Sequence, residues 1–331
     1  MTTEQAYAGR TVLVTGGAGC IGSNLVSAVT AAGAARVFVV DDLSSASRWN
    51  IPDHPAVRFI QGSVLDGETL RSAFSERPEY VFHLAALFAN QNSVDHPEQD
   101  LLVNGLGTLK MLEFTQLVGV RRFVYASSGC SVYGSKAPLP LTEDFVSLDL
   151  DTPYQITKLL GELYCNYFSN YYKVPVVRTR FFNVYGPGEI PGRYRNVIPN
   201  FLYWAMRKEA LPITGTGEET RDFTYVGDIV QGLLAAGVSE AAVGEAVNLA
   251  SGREVSVQTL ATLVNGITDN SAGVRYVGRR SWDHITRRRA SVEKAGQLLS
   301  YHPGTDFETG VRRTREWFMT HWDRIAQDAR F

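Results

Sequence analysis

The sequence predicts an α/β protein in which a doubly wound parallel sheet carries a smaller C-terminal lobe. Three observations point there. From residue 11 onward, short β-branched runs alternate with longer stretches of helical apolar spacing. A cluster of glycines separates the first run from the first such stretch. The chain of 331 residues, 44% hydrophobic and 20% charged with 30 glycines, has the composition of an ordinary globular protein and is long for one simple core.

Taken in order, TVLVT at 11–15, RVFVV at 36–40, VRFI at 57–60, YVFHL at 80–84 and RFVYAS at 122–127 read as strands. The stretches near 20–32, 66–76 and 97–118 read as crossover helices, which would cover both faces of a parallel sheet. VPVVRTR at 174–180 adds a further strand. The Gly/Pro-rich NVYGPGEIPGRYRN at 183–196 then predicts a loop over a cleft, with no regular element. Helical segments near 196–208, 227–242 and 256–268, and an amphipathic one near 308–326, would build the lobe. The expected division is a nucleotide-binding domain over 1–180 and a ligand-binding lobe over 181–331, with 221–250 returning to the first domain. There are no internal repeats and no low-complexity linker.

Charge and cysteine usage exclude several classes. With 32 basic and 34 acidic side chains the net charge is −2, so no global field recruits nucleic acid or an anionic membrane. The balance is uneven, however: residues 275–295 hold six arginines and one lysine against Asp283 and Glu293, a local +5 that leaves −7 elsewhere. Cys20, Cys130 and Cys165 are odd in number and form no C-x-x-C pair, so neither a disulfide framework nor a metal site is expected. Residues 11–35 carry no charge, but their glycines, with Ser23 and Asn24, make a poor membrane span, and the first residues do not read as a signal peptide. A cytoplasmic protein without membrane or nucleic-acid partners is expected.

The glycines sit in Thr15-Gly16-Gly17-Ala18-Gly19-Cys20-Ile21-Gly22, between the first strand and the first helix. In a Rossmann-type sheet this arrangement lets a pyrophosphate approach the helix N-terminus, where unpaired N–H groups and the helix dipole attract anions. Gly16, Gly19, Cys20, Ile21 and Gly22 are the candidate contacts. The second strand ends at Asp41, nineteen residues after Gly22, where a carboxylate can accept from an adenosine ribose and would repel a 2′-phosphate, so NAD is expected rather than NADP. Asp42 is a further candidate or a solvated carboxylate. Ser63 and Val64, and Leu84, Ala85 and Ala86, fall at strand C-terminal ends, where such sheets bind ligands. The same residues would also serve a plain structural role, the glycines packing helix on strand and Asp41 capping a turn.

Tyr154 and Lys158 follow Pro153 at a spacing of four, which puts both on one face of a predicted helix. A neighbouring ammonium, with the positive charge of an oxidised nicotinamide, favours the phenolate and would bring Tyr154 toward the working range of a general base. The fifth strand ends in Ser127-Ser128, placing hydroxyls at the sheet edge where Tyr154 can converge.

These residues stand among a longer ordered set: TGGAGCIG, Asp41, HLAA at 83–86, NGLGT at 104–108, SVYG at 131–134, FNVYGPG at 182–188 and RDFTYVGD at 221–228. The chain thereby resembles the extended short-chain dehydrogenase/reductases of the nucleotide-sugar epimerase/dehydratase family over nearly its whole length. The resemblance implies Tyr154 as base, Lys158 on the nicotinamide ribose, Asn104 among the cofactor contacts, and a Ser/Thr hydroxyl sharing the sugar proton. Strand position selects Ser128, with Ser127 the alternative, whereas counting back from Val132 selects Gly129. It further implies that Asn183, Asn196, Val197, Arg221, Arg280 and Asp283 hold the nucleotide and diphosphate of a UDP-sugar. Two helices per subunit, here near 97–118 and 153–172, would pair in a homodimer.

The family reaction begins with oxidation at C4 of the sugar. Related 4,6-dehydratases carry an Asp-Glu pair where this chain has Cys130 and Ser131, so dehydration is not expected. Uronate decarboxylases carry Glu at the Ser131 place. Arg193 and Arg195 in the loop over the cleft, and Arg287-Arg288-Arg289 in a stretch laid out like that of uronate-processing relatives, lead to an acidic sugar. The expectation is 4-epimerisation of UDP-glucuronate ahead of UDP-glucose, with UDP-glucuronate decarboxylation and a non-catalytic NAD-binding regulator as alternatives. A regulator would have no need of Tyr154, Lys158 and Ser128 together.

Overall fold

The structure, a computed structural model, describes residues 3–331. Seven strands form its central sheet: β1 (Thr11–Thr15), β2 (Arg36–Asp41), β3 (Val57–Gln61), β4 (Tyr80–His83), β5 (Arg122–Ser128), β6 (Val176–Phe181) and, after an excursion, β11 (Ala246–Leu249). Their spatial order is β11-β6-β5-β4-β1-β2-β3, and each neighbouring pair is parallel. Such strands are buried on both faces, which is why they read as continuous apolar runs and not as alternating ones.

Helices α1 (Cys20–Ala31) and α8 (Val226–Val238) cover one face, sharing a core with Val12, Val14, Val37, Val39 and Val247. On the other face lie α2 (Gly67–Phe74), α5 (Gly107–Val118) and α6 (Pro153–Tyr172), packed on Leu13, Phe38, Val81 and Phe123. Helix α6 starts where its sequence dictates: Thr152 accepts from the Gln155 N–H as N-cap, Pro153 occupies the first turn, and Lys173 closes the far end in a left-handed conformation. Residues 226–249 return to this first layer through α8 and β11.

The lobe contains α7 (Val197–Met206), β8 (Leu211–Thr214), α9 (Val257–Ile267), β13 (Val274–Val277) and α11 (Phe307–Thr320), around Phe201, Ile213, Leu260, Val264 and Phe318. Helix α10 (Glu293–Leu299) returns toward the sheet, and α12 (Trp322–Asp328) ends the chain.

Three local expectations differ from the structure. The stretch 97–118 is not one α-helix but α4 (Pro97–Asp100), a π-helical stretch Leu101–Leu106 and α5; a further short helix, α3 (Asn90–Asp95), precedes it. The wide turn places Asn104 where its amide reaches the backbone of Leu87. The stretch 308–326 breaks at His321 into α11 and α12. The loop 183–196 contains a two-residue strand, β7 (Val184–Tyr185), because RDFTYVGD lies alongside it and supplies β10 (Thr224–Tyr225) as a parallel partner. A similar small ladder joins β9 (Thr220–Arg221) to β12 (Val255–Ser256), and a further one joins β8 to β13. No helix among the described residues is long and apolar enough to cross a membrane.

The polar centre of the first layer is a buried ion pair. Arg180 on β6 donates Nε and Nη2 to the two carboxylate oxygens of Glu162 on α6, at 2.9 and 2.8 Å, and both side chains are at most 3% exposed. Ser127 donates its hydroxyl to the same Glu162, and Arg180 Nη1 reaches the Tyr133 hydroxyl at 3.0 Å. Tyr133 in turn donates to Asn248 on β11 at 2.7 Å. Removing one member leaves an uncompensated charge in a dry site. Arg180→Met should therefore lower the unfolding free energy by about 3–5 kcal/mol, and the double variant Glu162→Leu/Arg180→Met should recover much of that loss in a denaturant titration.

Candidate active site

The β1–α1 turn, the β4 end and the β5 end meet along the C-terminal edge of the sheet. An added Cβ at Gly16, whose φ is +69°, would meet the Ala85 N at 2.7 Å, so this turn lies directly on the Leu84-Ala85 backbone. At Gly22 the same Cβ would meet the Gly16 O at 2.1 Å, which fixes the close approach of helix to strand. Gly19 is different. Its Cβ would meet only the Gly16 O, at 3.4 Å, so no close protein packing explains the missing side chain. It caps the N-terminus of α1, where the N–H groups of Cys20, Ile21 and Gly22 lack intrahelical acceptors. A cradle that a Cβ would fill, facing these donors, fits a pyrophosphate.

Asp41 is held in place by the same turn: Oδ2 accepts from the Ala18 N–H at 3.0 Å and Oδ1 from the Leu43 N–H at 2.9 Å. Burial nonetheless raises its pKa. Asp42 is exposed and binds Ser44. Ser63 accepts from the Leu65 N–H, Val64 is buried, and Leu84, Ala85 and Ala86 are half-buried at the end of β4. The Asn104 amide is engaged with Leu87, Asp100 and Thr157, so it braces the loop after β4. The first turn of α1 is also tied to the FNVYGPG loop, by Asn24 Nδ2 on the Pro187 O at 2.8 Å and by the Cys20 thiol on the same oxygen.

Tyr154 and Lys158 lie side by side on α6, with the ammonium 5.6 Å from the phenol ring centre. Lys158 donates to the Ala126 O at 2.9 Å, two residues before Ser128 on β5. Its pKa is pulled down to about 8 by burial, against the opposing pull of Asp100, so it is still mainly cationic near neutrality. The Tyr154 phenol finds no hydrogen-bond partner among the described residues. Its pKa is raised and not lowered: burial dominates, and Asp100 and Cys130 add to it. Burial therefore holds the phenol protonated, with the Lys158 ammonium beside it.

The two serines part at this point. Ser127 is spent on Glu162, beneath the site. Ser128, 7% exposed, accepts from the Ser131 hydroxyl at 3.0 Å. Gly129 lies flat against Phe182, whose ring an added Cβ would meet at 2.0 Å. Asn183 faces them in a left-handed conformation, φ +29°, and accepts from the Cys130 thiol at 3.3 Å.

The arginine cluster of the sequence comes apart in space. Arg193 is exposed and paired with Asp95. The charge of Arg195 is felt at Cys20, Asp41 and Glu189, beside the β1–α1 turn. Arg280 is exposed over the Trp282 ring, and Arg287 is bidentate on Glu254. Arg221 binds the Thr220 and Ile285 carbonyls and lies 3.7 Å from Asp283. Asn196, N-cap of α7 just before Val197, donates to Glu189 and to the Val184 O. Glu189, which sequence reasoning passed over, is buried with Oε2 unpartnered, and desolvation pushes its carboxyl up to about 7.

Arg288 was seen only as one of a triplet, yet it is the buried member. It is 3% exposed and donates to the Cys130 O at 3.1 Å, with no carboxylate within 4.0 Å among the described residues. The contact ties the segment 278–290 to the loop that follows Ser128.

The glycine geometry yields a separable expectation. Gly19→Ala should fold with little change in melting temperature but lose at least about tenfold in NAD affinity, while Gly22→Ala should lower the melting temperature itself. Calorimetric titration and thermal unfolding of the two variants check this.

Comparison with known proteins identifies the family of the chain. The sequence profile of the NAD dependent epimerase/dehydratase family matches residues 12–250. A UDP-glucose 4-epimerase of Mycolicibacterium smegmatis is 33% identical over 309 residues, covering 92% of this chain and 97% of that protein. Among solved structures, an epimerase of Methanothermobacter thermautotrophicus is 58% identical with a TM-score of 0.98, over 99% of this chain and 98% of that one. The Bordetella bronchiseptica enzyme WbmF, solved with NAD+ and UDP, is 38% identical with a TM-score of 0.87, over 98% and 96% of the two chains. With a family profile over most of its length, the chain belongs to the NAD dependent epimerase/dehydratase family and is an NAD-dependent enzyme of the extended short-chain dehydrogenase/reductase fold.

Proposed function

We propose that the protein inverts C4 of a UDP-sugar through a transient 4-keto intermediate, and that its sugar is a uronate, UDP-glucuronate ahead of UDP-glucose. The observation that carries the choice of sugar is Arg288. A buried guanidinium with no carboxylate within ion-pair distance, only the more distant charges of Asp283 and Asp151, is costly in the free protein, and an anionic ligand group beside it would lower that cost. Its acceptor is the backbone of Cys130, two residues beyond Ser128, so it stands at the reacting end of the cleft. The carboxylate of a hexuronate lies two bonds from C4 and would meet it there. Arg193, the sequence's own candidate for this contact, is taken up by Asp95 at the surface.

In this reading Ser128 and Tyr154 hold the sugar 4-hydroxyl, and Tyr154 takes its proton as the C4 hydride departs. NAD, which the Gly19 turn, the N-terminus of α1 and Asp41 would hold, would supply the hydride chemistry and a positive charge to add to that of Lys158. Lys158 stays cationic next to Tyr154 and orients the ribose. Once the ketosugar presents its opposite face, Tyr154 would give the proton back to the C4 oxygen, which completes the inversion. Cys130 and Ser131 supply no acid pair for elimination. Decarboxylation of the 4-ketouronate, a β-keto acid, is the competing outcome, and here Ser131 is held in a hydroxyl pair with Ser128.

The proposed assembly is a homodimer. Helix α6 exposes Ile156, Leu163, Tyr167 and Tyr171 along one stripe, and Leu102, Leu106 and Leu117 are exposed on the neighbouring helical segment. An apolar face of this kind suits a second copy of the same face.

Four measurements bear on these readings. NMR of UDP-glucuronate and UDP-glucose incubated separately with the enzyme should show gluco/galacto interconversion, fastest for the uronate; a pentose product would overturn epimerisation. Tyr154→Phe should cut turnover by about 10²–10⁴-fold with NAD still bound, and Arg288→Met should cut kcat/KM for the uronate by about 100-fold more than for the neutral sugar. Sedimentation should give a dimer for the native chain and a monomer for Leu163→Glu.

A further inference from the structure

The loop after β2 and the C-terminal helix, 280 residues apart in sequence, share one carboxylate oxygen. Asp328 Oδ2 accepts both from the Ser47 hydroxyl and from the Trp49 indole N–H, the latter at 2.8 Å. The Trp49 ring stacks on Trp317 and His321, with centroids 5.8 and 5.6 Å away, and Arg324 lies over it at 5.7 Å. The short 3₁₀ turn that carries Trp49, Arg48–Asn50, is thereby fixed in position from outside the sheet.

The next residue converts that anchoring into a contact with the cofactor turn. Asn50 Nδ2 donates to the Ala18 O at 3.1 Å and to the Gly188 O at 2.9 Å. Ala18 is the residue whose N–H holds the Asp41 carboxylate. Hydrogen bonds tie Ser47 and Trp49 to Asp328, the Asn50 N–H donates back to the Ser47 O at 3.0 Å, and the Asn50 side chain carries the connection on to Ala18, whose N–H holds Asp41. The connection ends on both groups expected to touch the dinucleotide, the glycine turn and the ribose carboxylate.

The same chain end reaches the other side of the cleft. The Arg330 O accepts from the Arg193 N–H at 2.6 Å, and Phe331 stacks on Tyr203 of α7.

We propose that Asp328 is a positioning residue for the adenosine half of NAD, acting through Ser47, Trp49 and Asn50 on the turn at Ala18. The chemistry required of it is acceptance of two hydrogen bonds and not negative charge. An asparagine, which keeps an acceptor oxygen, should substitute for it, and an alanine should not.

The test uses the full-length protein and ADP-ribose, which carries the adenosine and diphosphate and no nicotinamide. Asp328→Ala should raise the ADP-ribose dissociation constant about tenfold, the loss expected for two hydrogen bonds. Asp328→Asn should stay within about threefold of the native chain. Asn50→Ala should reproduce the alanine effect, and the double variant Asp328→Ala/Asn50→Ala should lose no more than the larger single loss, because both act on one turn. UDP, titrated as a probe of the other half of the cleft, should change by less than about threefold in each variant, which a general loosening of the fold would not allow. Native ADP-ribose affinity in Asp328→Ala, failure of the asparagine variant, additive losses in the double variant, or equal losses for UDP would each overturn the proposal. No hexose or uronate enters these titrations, so their outcome is independent of which of these the enzyme turns over.

Discussion

The candidate site depends first on a charge pair buried beneath it. Helix α6 carries Tyr154, Lys158 and Glu162 at successive intervals of four, and the third of these grips Arg180 on β6. Because the pair is bidentate and dry, it sets the rotation and height of the helix against the sheet within the tolerance of two hydrogen bonds. Lys158 then falls on the Ala126 carbonyl, and Tyr154 falls beside the loop that follows Ser128. Ser127 helps to explain why two adjacent serines have different fates: strand alternation sends one hydroxyl to Glu162 and the other to the cleft. Burying two charges is an expensive way to dock a helix, and the return is angular precision that apolar packing alone does not give.

Much of this was legible in the sequence. Parallel strands buried on both faces announce themselves as β-branched runs, and the glycine turn, Asp41 and the Tyr154/Lys158 spacing each depend on residues close in the chain. Partnerships across long separations were not legible. Glu162 and Arg180 look like ordinary helix and strand charges until β6 lies next to β5. Arg287, Arg288 and Arg289 look equivalent until Glu254 takes the first and the second is buried against Cys130. The tyrosine shows a further limit: the spacing correctly pairs it with a lysine, but the burial that raises its pKa is a property of the assembled layer.

The cationic segment noted in the sequence also has a different meaning in three dimensions. Its local +5 does not make a broad positive surface, because Arg279 lies near Glu219, Arg287 pairs with Glu254, and Lys294 pairs with Glu245. Those pairs fasten the segment down over the lobe and the sheet edge. Of the arginines left outside those pairs, Arg275 and Arg280 are exposed and Arg288 is the one buried, against the loop after Ser128.

The last strand of the sheet has a consequence for synthesis. β11 joins β6 only after residues 182–245 have been made, and Asn248 on that strand closes the chain of contacts through Tyr133 to Arg180. An emerging chain that stops short of residue 249 thus has every residue of the Tyr154/Lys158 helix but an open sheet edge and an unfinished polar centre. Chains truncated before that point present an unpaired edge for quality control to recognise, although every residue of α6 has already been made.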